Sequence, residues 1–171
     1  MELAKSYENY PAWIVFVSNF VSFTVYLAGA FIIYQIGLAW LALYVAFIGY
    51  LEIRLIRGHC TSCYYYGKCC AFGKGKLSSL LFRKGNPGEF SRKHISWKDI
   101  APDFMVFIVP AIIGFALLIM DFSWLVLSAV ALLLVLGFAG NAFVRGSLAC
   151  KHCSQRELGC PAERLFSKGK K

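Results

Sequence analysis

Six of the seven cysteines stand in two copies of one spacing. Cys60-x2-Cys63-x6-Cys70 returns 90 residues later as Cys150-x2-Cys153-x6-Cys160. Two thiols separated by two residues can turn onto one ion, and the backbone N–H groups of the turn can donate to the sulfurs. Thiolates in this pattern are the chemistry of zinc, which accepts a tetrahedral set from loops with sulfur at about 2.3 Å. The spacing therefore predicts metal binding by Cys60, Cys63, Cys70, Cys150, Cys153 and Cys160, with Zn2+ as the ion and an iron–sulfur cluster as the alternative. Two arrangements satisfy it. Each half can hold its own ion with three thiolates and a fourth ligand, for which His59 or His94 serves the first half and His152, inside its own cysteine pair, is awkwardly placed. In the other arrangement the halves meet, and six thiolates hold two ions through two bridging sulfurs. Cys69 lies outside the repeat because Gly159 occupies its counterpart. It reads as a bystander first, and as a spare ligand or reactive thiol second.

The doubled C-x2-C-x6-C is similar to the spacing of the fungal binuclear zinc-cluster proteins, over about eleven residues in each half. That resemblance implies shared-thiolate coordination. It implies nothing about DNA binding, since 79 residues and an apolar hairpin separate Cys70 from Cys150. Iron–sulfur runs are usually more compact than a six-residue gap. The chain also looks in outline like the four-helix membrane oxidoreductases that carry C-x2-C pairs. Those work on the oxidising side of a membrane, and a dithiol has no need of a third cysteine.

The elements that must position these thiols repeat as well. Pro11 to Val17 (PAWIVFV) returns as Pro102 to Ile108 (PDFMVFI), and Leu81-Phe-Arg-Lys-Gly85 returns as Leu165-Phe-Ser-Lys-Gly169. Hydrophobic residues make up 58% of the 171 and mean hydropathy is +0.60, which excludes an ordinary soluble domain. Four nearly uncharged runs predict an all-α integral membrane fold, since a bilayer core needs about 20 apolar residues in a helix. The expected architecture is two tandem-repeated hairpins set as parallel repeats. Repeat 1 covers 1–95, with spans at 12–34 and 37–56 and a cysteine-rich loop at 57–95. Repeat 2 covers 96–171, with spans at 102–120 and 122–144 and a cysteine-rich tail at 145–171. Ten of the 18 basic residues lie between Arg54 and Lys98 and seven between Arg145 and Lys171, while the two hairpin turns have none. Basic segments stay cytoplasmic, so both termini and all the cysteines are expected on that side of a plasma (inner) membrane. Cytosolic thiols are reduced, which argues against a disulfide framework. The net charge of +9 is expected to meet anionic lipid headgroups rather than nucleic acid.

Inside the spans little is polar. Asn19 predicts an interhelical hydrogen bond, and Glu52 an ion pair with Arg54 or Arg57. Pro110 predicts a kink in the third helix. Ala42, Ala46 and Gly49, and likewise Gly137 and Gly140, predict close helix approach. Trp13, Tyr34, Trp97 and Trp124 fall at span ends, where aromatic rings prefer the headgroup level. Tyr64, Tyr65 and Tyr66 are assigned to that layer too, with a ligand-stacking wall as the alternative. Leu77–Phe82 and Leu165–Phe166 read as surface amphipathic segments, Asn86-Pro-Gly88 as a turn, and Ser96-Trp-Lys-Asp99 as a helix-start box. No catalytic triad, carboxylate pair or zinc-protease motif is present. The expectation is a non-enzymatic scaffold, sensor or accessory subunit whose zinc-stapled cytosolic cap meets a protein partner, the metal replacing a core that such short segments cannot build. A redox protein using an iron–sulfur centre or its thiols is the alternative. A small transporter or metal-handling protein comes third, disfavoured by the lack of buried charge.

Overall fold

The computed structural model describes residues 6–92 and 96–161. His94 and the segment containing Leu165 and Phe166 lie outside them. The described chain is built from helices, four of them long and apolar enough to cross a membrane. Helix α1 is Ala12–Tyr34 and α2 is Leu38–Gly58, joined through Gly37 at φ +133°, a conformation that favours glycine. Two short helices follow, α3 (Lys74–Leu81) and α4 (Pro87–Arg92). Then come α5 (Trp97–Met120) and α6 (Trp124–Val135). The fourth span continues beyond α6 as one helical rod to His152, through a π turn (Leu136–Gly140), α7 (Asn141–Phe143) and a second π turn (Val144–Ala149). A one-turn helix α8 (Ser154–Glu157) follows.

Three span boundaries move outward from those expected, the second span running past 56 to Ser62. Helix α5 begins at Trp97 rather than 102, because Asp99 Oδ2 accepts from both the N–H and the hydroxyl of Ser96 at 2.9 Å. That box satisfies the helix start five residues ahead of Pro102. The fourth span runs past 144, widening into π turns as it approaches Cys150. Pro87 opens α4 rather than a free turn, and Asn86 Oδ1 caps it by accepting from the Gly88 N–H.

The main core is shared by α1, α5 and α6, with Ile32, Val130 and Leu133 among its most buried side chains. Pro110 does not break α5. Proline has no N–H to give to the carbonyl four residues back, and here Tyr44 of α2 donates its hydroxyl to that carbonyl, on Val106, at 2.8 Å. The substitute donor needs room, and Gly29 supplies it: a Cβ there would collide with the Tyr44 hydroxyl. In a membrane an unmet backbone group costs several kcal/mol, so this tyrosine makes the proline tolerable.

Helix α2 is the least enclosed of the four, with only Tyr44, Leu51 and Ile56 buried. Its small residues do not serve close approach as expected: Ala42, Ala46 and Gly49 are exposed, and nothing lies near a Cβ built on Gly49. Gly137 and Gly140 do serve it, against Phe107 and Val21. Trp13, Tyr34, Trp97 and Trp124 are exposed at helix ends, as an aromatic belt requires.

Candidate functional site

Both C-x2-C pairs fold into the same turn. Cys60–Ser62 and Cys150–His152 are single 3-10 turns, and in each the fourth residue's N–H reaches back to the first cysteine's carbonyl at 3.4 Å. After each turn the chain extends, and the next backbone N–H groups aim at the second sulfur. Those of Tyr65 and Tyr64 lie close enough to Cys63, and those of Gln155 and Arg156 close enough to Cys153, to favour the thiolate. This is the N–H support expected from the spacing.

The two turns pack against one another. The Tyr64 N–H donates to Gln155 Oε1 at 2.7 Å, and the Tyr65 hydroxyl accepts from the Ser154 N–H at 3.0 Å. Gln155 and Tyr65 are both buried. Cys63 lies within electrostatic range of Cys70 and of Cys160 from the other half, and Cys153 within range of Cys63 and Cys150. Cys60 neighbours Cys70 and Cys63. The repeated thiols thus gather at one end of the bundle.

The surroundings hold more structure than expected of short polar segments. Tyr10, Ile14, Tyr65, Ala71 and Ala149 form a second core, with Cys63, Cys70 and Cys153 packed against it. Tyr65 is 2% exposed, so it is the centre of this core and not a headgroup-layer aromatic. The chain before α1 fills the seam between the halves. The Tyr7 N–H donates to the His152 carbonyl at 3.0 Å, the Tyr10 N–H to the Cys69 carbonyl at 2.9 Å, and the Tyr10 hydroxyl to the Ala149 carbonyl. Tyr65 in turn donates its hydroxyl to the Tyr7 carbonyl at 2.6 Å, and the Tyr7 ring lies 4.8 Å from that of His152. At the rim, Glu8 pairs with Lys68 at 2.8 Å, which holds the Glu8 carboxyl below its usual range. Nothing in the spacing of Tyr7, Glu8, Asn9 and Tyr10 marked this role.

Glycine makes the first turn compact. A Cβ on Gly75 would strike the backbone carbonyls of Tyr65 and Lys68. Gly67 and Gly73 sit at φ +77° and +69°. Cys69 is a backbone anchor, its N–H donating to Asn9 Oδ1 at 3.0 Å. Among the described residues Asn19 makes no interhelical bond: its amide donates to the carbonyls of Val15 in its own helix and of Phe72 in the loop. Glu52 pairs with Lys74 at 2.6 Å rather than with Arg54 or Arg57.

Burial sets the thiol chemistry. It pushes the Cys153 thiol up to about 12, with the neighbouring Cys63 and Cys150 adding to the rise and the backbone donors of Gln155 and Arg156 opposing it. Cys63 moves in the same direction, for burial first and then Cys70 and Cys160, against the Tyr65 and Tyr64 donors. Cys150 is exposed. The donor set is chemically suited to zinc, but the cage is not closed: among the described residues no three His, Cys, Asp or Glu side chains converge to hold an ion. His59 stands at the end of α2 with its ring edge-on to Phe90, and His152 lies against Tyr7.

The chain matches no protein-family model, no curated protein and no solved structure. With four helices of spanning length and a cysteine-rich end, it is an all-helical membrane protein in its described residues.

Proposed function

We propose that this is a non-enzymatic membrane scaffold or sensor, built as two repeated hairpins, whose paired cysteine turns form a zinc-dependent cap on the cytosolic side of the inner membrane. The observation that carries the reading is the recurrence of one C-x2-C turn, N–H support included, in two places that are then hydrogen-bonded to each other. The distribution of basic residues supports the orientation. Zinc would be held by thiolates drawn from Cys60, Cys63, Cys70, Cys150, Cys153 and Cys160. Bound, it supplies a staple rather than a reaction. Because the donors stand near but apart, part of its binding free energy would go into drawing the turns together. A cap that tightens on metal has the property a sensor needs, and its outer face would be where a protein partner docks.

Elemental analysis and thermal unfolding of protein purified without added metal test this. Stoichiometric zinc is expected, and a chelator should destabilise the protein by about 2.7 kcal/mol if zinc is present at about 100 times its dissociation constant. Metal-free protein that unfolds at the same temperature with and without zinc would sink the proposal. The exposed Cys150 beside a half-buried Cys153 favours one second reading, a membrane thiol-redox protein. A dithiol that titrates rapidly in metal-replete protein supports that reading, and a brown sample absorbing near 400 nm supports an iron–sulfur centre.

A further inference from the structure

Beside the cysteine cap, one polar cluster sits within an otherwise apolar cleft. The cleft has a volume of about 560 Å³ and lies between α1, the cysteine-proximal part of α2 and the start of α3. Its polar floor is made by the Glu52–Lys74 pair at 2.6 Å, the Tyr26 hydroxyl donating to Glu52 Oε1 at 2.7 Å, and Asn19. Asn19 spends its amide N–H groups on the Val15 and Phe72 carbonyls, and its Oδ1 accepts no hydrogen bond among the described residues. The walls are Phe16, Phe20, Phe23 and Leu77. All four are exposed, and Leu80 and Leu81 continue the exposed apolar surface of α3.

Exposed rings along a spanning helix and exposed leucines on a short helix beside it are what acyl chains cover. The polar floor therefore lies at the boundary between hydrocarbon and headgroups. The pair is largely withdrawn from solvent, with side chains 20% and 28% exposed. An ion pair at that depth is costly unless further hydrogen bonds complete it. A headgroup bearing a phosphate and a primary ammonium completes both ends: the phosphate on Lys74, the ammonium on Glu52 and Asn19 Oδ1. A purely anionic headgroup would be repelled by Glu52. A quaternary ammonium has no N–H to donate, and free phosphate has no chain to lay on the phenylalanines. We infer that this cleft binds one phosphatidylethanolamine, headgroup on the Glu52–Lys74 pair and acyl chain along Phe16, Phe20 and Phe23.

The test is native mass spectrometry of the full chain released from bilayers with equal parts of phosphatidylethanolamine, phosphatidylglycerol and phosphatidylcholine. One phosphatidylethanolamine should be retained about tenfold over each competitor, the factor for one charge-assisted hydrogen bond. Glu52→Gln keeps the side chain's shape and an acceptor for Tyr26, and should bring that ratio to near one. Lys74→Gln should lower retention of all three lipids. The wild-type competition stands even if a variant does not fold. Equal retention of the three lipids by the wild type overturns the inference, as does an unchanged preference in folded Glu52→Gln. Neither outcome depends on whether the cap holds zinc.

Discussion

The turn at Cys60–Cys63 is walled in by α3 and α4, while its twin at Cys150–Cys153 ends a long helix and leaves Cys150 exposed. The first is supported by chain that follows it closely: Gly67 N–H donates to the Gly75 carbonyl at 3.0 Å, and Gly85 N–H to that of Thr61 at 2.9 Å. The second is held from outside, by Gln155 on Tyr64, by Ser154 on Tyr65 and by Tyr7 on His152. One backbone conformation has thus been used once as a self-supported loop and once as a docked one. A duplicated motif keeps its local geometry, which few residues dictate, and can lose or gain its supports, which distant residues supply.

Removing the docking centre should separate the two turns most sharply. Tyr65→Ala deletes a 2% exposed ring together with its bonds to Tyr7 and Ser154. Truncating a buried aromatic costs about 3–5 kcal/mol. The expected outcome is a lower unfolding temperature with Cys153 opened to alkylation, read by mass spectrometry, and α1, α5 and α6 intact by circular dichroism. Loss of the whole helical signal would show that the cap and the main core are one unit.

A smaller effect should follow from pH. In metal-free protein Cys150 should alkylate fastest and Cys153 slowly at pH 8, its rate rising only as pH approaches the value of about 12 to which burial pushes it. The sign for stability follows from the raised value. Below the unfolded thiol's pKa of about 8.5 the Cys153 thiol is neutral in both states. Above it the unfolded chain gives up a proton that the folded chain keeps, so stability falls as pH rises towards 12. Equal alkylation rates at Cys150 and Cys153 would erase the distinction between an open and a sheltered sulfur. Least affected should be Glu8→Gln, since the Glu8–Lys68 pair is solvent-exposed and such pairs contribute little. Its unfolding temperature should stay within error of the wild type, and a clear drop would show that the rim helps to hold the seam.

What the sequence disclosed has a physical pattern. Apolar runs long enough to span announce themselves, because the bilayer makes length and hydropathy sufficient. The cysteine turns and the Ser96–Asp99 box were equally legible, being set by neighbours within four residues. The partners of Glu52, Asn19 and Tyr65 were not. Glu52 had two arginines close by in sequence, yet Lys74 reaches it because α3 folds back against α2. Asn19 was read as a helix–helix bond, but a loop carbonyl comes within reach. The seam formed by Tyr7–Tyr10 gave no signal, since a short polar stretch before a membrane helix has the same composition whether it is solvated or inserted. The small residues of α2 failed in the other direction. Their spacing suited close contact, and among the described residues no helix takes it up.

That seam also orders events in time. The hydrogen bond from Tyr10 to Ala149 closes a loop of 139 residues. During synthesis at about 5–20 residues per second, the leading segment must wait about 7 to 28 seconds for its mate to emerge. Through that interval the early thiols stand without their lid, open to whichever ion or oxidant arrives first.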